Sequence, residues 1–181
     1  PDYAVTGVQT CALPICGATG IGDALLALLV ELGSPEVTVL DRQRPTGPHA
    51  RYFETDLADR AAIDLAIEKI DGPVDALFNN AGVAATLSAR TVLSVNYLAV
   101  RRLSTGLLEQ IPSGGAIVNT ASIAGDRWAS HVEPINELLA LDDWDESLEW
   151  VDAHCQPGGV GEDRYAFSKE VLRSEEHTSE L

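Results

Sequence analysis

The sequence has few basic residues and no long apolar run. No stretch approaches the roughly 18 consecutive apolar residues of a membrane helix, and none has the charged-then-apolar layout of a secretory signal. Twelve Lys and Arg stand against 28 Asp and Glu, and the net charge of −16 would repel a phosphate backbone. The sequence therefore predicts a cytoplasmic protein with neither nucleic acid nor membrane among its partners.

Cysteine is also scarce. Only Cys11, Cys16 and Cys155 are present, and their spacing matches no metal site. Three cysteines leave one unpaired in any disulfide scheme, which favours a reducing compartment. We therefore predict no bound metal and no disulfide framework.

Methionine is absent, even at position 1, so we expect that the sequence is not a complete reading frame. Residues 5–15 and 173–181 resemble translated sequencing adapters, and we predict that residues 1–16 and 173–181 are not native. Residues 17–172 would then form one partial domain, with 11–16 standing in for its first strand. The alternative is a genuine N-terminal strand and a charged tail.

Apolar periodicity predicts an alternation of helices and short strands. The predicted helices cover residues 20–32, 61–70 and 90–111, and the predicted strands cover 36–40, 51–53, 74–78 and 116–118. Such an alternation is typical of a parallel sheet covered by helices on both faces. We predict an α/β, doubly wound, Rossmann-like parallel sheet that is incomplete at both ends.

Residues 126–163 differ in composition from the rest of the chain. They contain eleven acidic residues and one basic residue, Arg127. All three tryptophans lie here: Trp128, Trp144 and Trp150. We predict two short helices, at 133–141 and 145–154, in an insertion that is too short to be a second domain.

A glycine cluster opens the first predicted helix. Glycines there let the backbone approach a pyrophosphate, and the helix N-terminus offers unpaired N–H groups and a positive dipole end. The candidate phosphate-binding residues are Gly17, Thr19, Gly20, Ile21 and Gly22. A glycine-rich turn alone is weak evidence, because such turns are common.

The following strand ends at Asp41, 19 positions after Gly22. An acidic residue at this place accepts hydrogen bonds from the adenosine ribose and repels a 2′-phosphate, which favours NAD over NADP. Asp41 could instead be an ordinary loop acid, and the neighbouring Arg42 keeps NADP open.

These features resemble the short-chain dehydrogenase/reductase family, whose fingerprint is Thr-Gly-x-x-x-Gly-x-Gly. Gly20 and Gly22 match its last two glycines, whereas its first glycine falls on Cys16, inside the segment predicted as non-native. Asp23 stands where the extended relatives of the family have glycine, which argues against that branch.

The resemblance extends to further cofactor positions. Asp56 and Leu57 resemble the pair that contacts the adenine ring. The motif 79–82 resembles the one that braces the central strand and backs the cofactor, which implies binding roles for Asn80, Ala81 and Gly82.

Four residues match the catalytic set of the family in order: Asn96, Ser122, Tyr165 and Lys169. The resemblance implies that Ser122 bonds the reacting oxygen, that Lys169 also holds the nicotinamide ribose, and that Asn96 positions a water for proton transfer. Independently, Tyr165 and Lys169 are four positions apart and would share one helix face. An ammonium group there favours the phenolate and prepares Tyr165 for general acid–base chemistry.

Each residue alone has a structural reading, as a packed ring, a solvated charge, a cap or an exposed amide. The family order favours an enzyme that transfers hydride between nicotinamide and a small-molecule alcohol or carbonyl substrate. The alternatives are a nucleotide-binding protein without catalysis and an inactive truncated fragment.

Ser122 and Tyr165 are 43 positions apart, far more than in most members of the family. This spacing resembles a smaller group that includes coniferyl-alcohol dehydrogenase and 3α-hydroxysteroid dehydrogenase/carbonyl reductase, and residues 117–128 favour the aryl-alcohol type slightly. The tryptophans of the insertion would either line an apolar pocket for a ring-bearing substrate or seat the insertion on the body of the protein. The sequence leaves a homo-oligomer open.

Overall fold

The computed structural model describes residues 11–34, 36–49 and 51–178. It divides into two compact units. The first, here called the sheet unit, contains the described residues up to Asp56 together with Asp64–Asn80 and Ser104–Asn119. The second, here called the helical unit, contains Leu57–Ile63, Ala81–Leu103 and the described residues from Thr120 onward.

The sheet unit contains a parallel sheet of five strands in the order β3-β2-β1-β4-β5. The strands are β1 Cys11–Ile15, β2 Glu36–Asp41, β3 Arg51–Glu54, β4 Ala76–Asn79 and β5 Ala116–Asn119. All four strands expected downstream of β1 are present, although β4 begins two residues later than predicted. Residues 11–15 supply the central strand.

The strand order reverses at β1, which pairs with β2 on one side and with β4 on the other. In register, Ala12 is opposite Val37 of β2 and Ala76 of β4. This is the doubly wound, Rossmann-like arrangement that the sequence predicts. In such sheets, ligands bind beyond the carboxyl ends of the strands at the reversal, which lie here after Ile15 and Asn79.

The core of the sheet unit follows from apolar strands that are covered on both faces. Leu13 and Ile15 of β1 are at most 1% exposed. Leu26, from helix α1 (Gly20–Glu31), packs against Val37 and Val39 of β2. Helix α2, Arg60–Lys69, begins in the helical unit and continues in the sheet unit.

The predicted helix 90–111 is interrupted and ends early. It consists of α3 Ala89–Leu93, a π-helical turn at Ser94–Leu98 and α4 Ala99–Gly106, and a 3₁₀ turn at Leu108–Gln110 follows. Gly106 has low helix propensity, and a Cβ there would lie 2.6 Å from Ile67 Cδ1 in the same unit. Close packing thus requires a helix-breaking residue at the point where the helix ends.

The segment 126–163 contains the two short helices expected there, α5 Val132–Leu139 and α6 Trp144–His154. Trp144 is 7% exposed. The Trp150 ring stacks on Phe167, with centroids 5.9 Å apart, in the long helix α7 Arg164–Thr178. Two of the three tryptophans therefore seat this segment within the helical unit. Across the described ranges, no helix is both long and apolar enough to cross a membrane.

Candidate active site

The glycine turn of the sheet unit lies at the carboxyl end of β1. Cys16 N–H donates to Leu40 O at 2.8 Å, and the chain then turns with positive φ at Cys16 (67°) and Gly20 (59°). A Cβ at Gly22 would lie 1.7 Å from the carbonyl oxygen of Cys16. No side chain fits there, so Gly22 is required by the close approach of two backbone segments.

The turn presents the start of α1 without a side-chain cap. Thr19 is the N-cap residue, with extended φ and ψ of −148° and 160°, and its side chain makes no capping hydrogen bond in the structure. Thr19 and Gly20 are exposed, and Ile21 is 70% exposed. Gly17 packs on β2, since a Cβ there would lie 2.8 Å from Val39 Cγ1. Uncapped amides at a helix N-terminus are suited to bind an anionic group such as a pyrophosphate.

Asp41 braces the turn from the end of β2. Its Oδ2 accepts from Ala18 N–H at 2.9 Å, and its Oδ1 accepts from Gln43 N–H at 3.0 Å. Each carboxylate oxygen can accept a second hydrogen bond, so the group fits a ribose as well as the turn. Burial, together with the charge of Asp41, raises the pKa of the Cys16 thiol to about 11, which keeps that thiol neutral.

The remaining predicted adenine and strand positions are Asp56, Leu57 and Asn80. Asp56 is exposed in the sheet unit, whereas Leu57 is 7% exposed and belongs to the helical unit. Asn80 follows β4, and its N–H donates to Phe78 O at 3.0 Å.

Asn79, for which no individual role was predicted, braces the end of β4. Its Nδ2 donates to Asn119 Oδ1 at 2.8 Å and to Ser104 Oγ at 3.1 Å. Its place in the motif 79–82 was the only signal for this role. The bond to Asn119 ties β4 to β5 at the carboxyl end of the sheet.

In the helical unit, Asn96 lies in the π-helical turn and is completely buried. Its Oδ1 accepts from Val83 N–H at 2.8 Å, and its Nδ2 donates to Val83 O at 3.1 Å and to Ser168 Oγ at 3.0 Å. A π-turn inside an α-helix is rare and is frequent at functional sites. Both amide hydrogens of Asn96 are engaged, so this side chain holds the loop that begins at Ala81 and Gly82.

Ser168 connects Asn96 with the backbone of α7. Its hydroxyl accepts from Asn96 and donates to Tyr165 O at 2.8 Å. Ser168 is fully buried. The sequence analysis did not identify this residue, which lies between Tyr165 and Lys169.

Lys169 is buried, at 3% exposed, and its Nζ donates to Thr120 O at 2.8 Å. Desolvation by burial lowers the pKa of this ammonium group. A Cβ at Gly82 would lie 3.9 Å from Lys169 Nζ and 3.7 Å from Asn96 Oδ1. The structure thus brings Gly82, Asn96 and Lys169 together, and glycine leaves open the space beside the ammonium group.

Ser122 and Tyr165 are both half-buried in the helical unit. Ser122 Oγ accepts from Ala124 N–H at 3.2 Å and caps the 3₁₀ turn Ile123–Gly125. Its hydroxyl hydrogen can therefore donate to a substrate oxygen. Tyr165 lies on α7 one helical turn before Lys169, as the spacing predicts. Among the described residues, no group of three His, Cys, Asp or Glu could hold a metal ion.

The chain is similar to known oxidoreductases. The model of the short chain dehydrogenase family matches residues 10–133. Coniferyl-alcohol dehydrogenase of Pseudomonas sp. (strain HR199 / DSM 7063) is 31% identical over 155 residues, covering 86% of this chain and 59% of that protein. Zerumbone synthase of Zingiber zerumbet is 35% identical over 86 residues, covering 40% of this chain and 32% of that protein.

A solved structure gives the same picture of the fold. The crystal structure of 3-alpha-hydroxysteroid dehydrogenase from Pseudomonas sp. B-0831, complexed with NADH, matches with a TM-score of 0.71 and 28% identity. The match covers 90% of this chain and 62% of that chain. This chain therefore spans less than two thirds of the length of each of these relatives.

Proposed function

The chain belongs to the short-chain dehydrogenase family, and we propose that the full-length protein is an NAD-dependent oxidoreductase. It transfers hydride between nicotinamide and a secondary or aryl alcohol, or the corresponding carbonyl compound. Similarity to coniferyl-alcohol dehydrogenase and to 3-alpha-hydroxysteroid dehydrogenase supports these two substrate types. We favour the aryl alcohol, in keeping with the sequence of residues 117–128.

The observation that carries this proposal is the buried ammonium group of Lys169. It lies near Gly82 and Asn96 and one helical turn from Tyr165. Burying an ammonium group is costly, and a buried, perturbed cation is typical of a functional site.

The proposed roles follow from the positions of these side chains. When bound, the nicotinamide ring supplies or takes up the hydride. Tyr165 takes the hydroxyl proton during alcohol oxidation and returns it during carbonyl reduction, while Ser122 donates a hydrogen bond to the same oxygen. Lys169 also holds the ribose. Asn96 braces the loop after Gly82. Its Oδ1 keeps one lone pair that can accept a hydrogen bond from a relay water.

The preference for NAD rests on the sheet unit. The uncapped start of α1 and the close-packed Gly22 fit a pyrophosphate. Asp41 holds the turn with two hydrogen bonds and keeps acceptor capacity for ribose hydroxyls. Its negative charge opposes a 2′-phosphate.

To test the proposal, the source locus is sequenced across the junctions near Gly17 and Leu172 and its full product is expressed. Turnover of coniferyl alcohol and of a 3α-hydroxysteroid is measured with NAD and with NADP. We expect turnover with NAD, and we expect Tyr165→Phe to abolish it while NADH fluorescence still reports binding. NADH binding without turnover in the wild-type protein would identify the non-catalytic alternative.

We further propose that turnover requires the longer chain, because the 181 residues span 59% of the length of coniferyl-alcohol dehydrogenase. The same assay on the 181-residue chain tests this point. Turnover by that chain alone would contradict it.

A further inference from the structure

The segment that contains Ser122 is attached to α7 at several points within the helical unit. The first is the hydrogen bond from Lys169 Nζ to Thr120 O, two residues before Ser122. Lys169 is buried and Thr120 is half-buried, so water reaches this bond only from the Thr120 side. It fixes the N-terminal side of the Ser122 turn.

The second attachment is a backbone contact at Gly125, three residues after Ser122. A Cβ at Gly125 would lie 2.6 Å from Lys169 O and 3.2 Å from Glu170 N. The turn Ile123–Gly125 therefore rests directly on the backbone of α7. It does so at Lys169 and Glu170, where the Tyr165–Lys169 turn ends.

The third attachment is a side-chain hydrogen bond that none of the proposed roles uses. His131 Nδ1 lies 2.6 Å from Glu170 Oε2, and the Glu170 side chain is 2% exposed against 33% for His131. His131 follows the 3₁₀ turn Trp128–Ser130 and is the N-cap residue of α5. Glu170 is adjacent to Lys169, so the same turn of α7 that carries the ammonium group is bonded to the insertion.

We propose that Glu170 and His131 are positioning residues, which hold the Ser122 turn in place against the Tyr165–Lys169 turn of α7. This inference rests on the proposed function. Thr120, Gly125 and His131 contact consecutive residues of α7 and bracket Ser122. The insertion 126–163 thereby acts on the reaction through the geometry of Ser122, in addition to any contact with substrate.

The physical argument concerns a carboxylate that water does not solvate. A buried carboxylate requires a hydrogen-bonded partner, and removal of that partner leaves an unpaired charge. Loss of His131 should therefore destabilise the protein more than loss of one partner of an exposed pair. If the His131–Glu170 bond is broken, the segment after Gly125 loses its side-chain attachment at Glu170, and small displacements of catalytic groups reduce turnover steeply.

The test uses variants of the full-length protein. Glu170→Leu, His131→Leu and their double variant remove the bond, whereas Glu170→Gln keeps an oxygen acceptor for Nδ1–H. Asp152→Asn is the matched control, because it weakens the exposed Arg90–Asp152 pair of the same unit. For each variant, kcat, KM for NAD, the melting temperature and amide exchange at residues 122–125 are measured.

For Glu170→Leu and His131→Leu we expect kcat to fall roughly 10- to 100-fold, while KM for NAD changes less than about twofold. Amide exchange at residues 122–125 should accelerate. Glu170→Gln should recover most of kcat, and Asp152→Asn should leave kcat and exchange unchanged. The double variant lacks the unpaired buried carboxyl group of His131→Leu, so it should recover the melting temperature that His131→Leu loses, but not kcat.

Two results would overturn the inference: recovery of kcat in the double variant, or unchanged amide exchange in Glu170→Leu. Either would mean that the pair only stabilises the fold. If the wild-type protein shows no turnover, the proposed function fails instead. The exchange data on the full-length protein then still decide whether the pair holds the Ser122 turn.

Discussion

The candidate functional residues of the two units act through different chemical groups. In the sheet unit, the candidate cofactor residues act mainly through the backbone, as in the close contact at Gly22 and the amide of Ala18 bonded to Asp41. In the helical unit, the candidate residues act through buried side chains. Asn96 and Lys169 each form hydrogen bonds with loops that are distant in the chain. The first kind of site is sensitive to an added atom, and the second to a lost hydrogen bond.

This difference also concerns how each site tolerates change. A backbone contact leaves no room for a side chain, so a single methyl group disrupts it. A buried polar network leaves space but requires that each donor and acceptor keep a partner. The four predictions below follow this distinction, from the largest expected effect to the smallest.

We expect Gly22→Ala to lower the free energy of unfolding by more than about 4 kcal/mol, because the new Cβ overlaps a backbone carbonyl that cannot move aside cheaply. Urea unfolding followed by circular dichroism measures this. Gly47→Ala is the control. Its Cβ would lie 3.2 Å from the flexible Leu26 Cδ2, so its change should stay within about 1 kcal/mol. Equal losses of stability in the two variants would contradict the interpretation that a backbone contact requires glycine at position 22.

Asn96→Leu should lower the free energy of unfolding by about 2–3 kcal/mol, because it leaves the N–H and carbonyl of Val83 without their side-chain partner. The volume of the side chain is nearly kept, so the loss reports on hydrogen bonding. Asn136→Leu, at an exposed position of α5, should change stability by less than about 0.5 kcal/mol. A similar loss in both variants would mean that the network of Asn96 contributes nothing.

Cys16→Gly should raise the free energy of unfolding by about 0.5–1 kcal/mol, because a non-glycine residue at φ 67° is strained and glycine is not. Cys155→Gly should have the opposite sign, since that residue is buried and has φ −98°. Thermal unfolding of the two variants gives the comparison. A loss of stability in Cys16→Gly would show that packing of the thiol stabilises the protein more than the strained backbone conformation destabilises it.

The smallest expected effect is a dependence on pH. Burial lowers the pKa of Lys169 below its ordinary 10.5, so the unfolded state binds more protons between the folded pKa and 10.5. Stability from this residue is therefore greatest above pH 10.5 and is lost as pH falls through the folded pKa. The stability difference between wild type and Lys169→Met should increase with pH in that window. A difference that is flat in urea titrations from pH 7 upward would contradict burial of the charge.

Local sequence patterns predicted most of the fold. The alternation of apolar strands and helices predicted the parallel sheet, and each strand lies within two residues of its expected bounds. The i, i+4 spacing placed Tyr165 and Lys169 on one helix face, since helix geometry alone determines this. The end of α4 at Gly106 was not predicted, because it depends on packing against Ile67 as well as on glycine propensity.

Hydrogen-bond partners that are distant in the chain could not be predicted from the sequence. Asn96 and Ser168 are 72 positions apart, and His131 and Glu170 are 39 apart. Each of these residues has an ordinary exposed or capping role in isolation. Only the packing of α7 brings them within hydrogen-bond distance.

The sequence by itself predicted the class of sheet and the place of the glycine turn, because these depend on local periodicity and on a short motif. Its resemblance to a family supplied the candidate catalytic residues. The tertiary structure alone decided which buried polar atoms pair: Asn96 with Val83 and Ser168, Lys169 with Thr120, and Glu170 with His131. The physical reason is the short range of a hydrogen bond. A donor and an acceptor that are distant along the chain meet only after the helices have packed and excluded water between them.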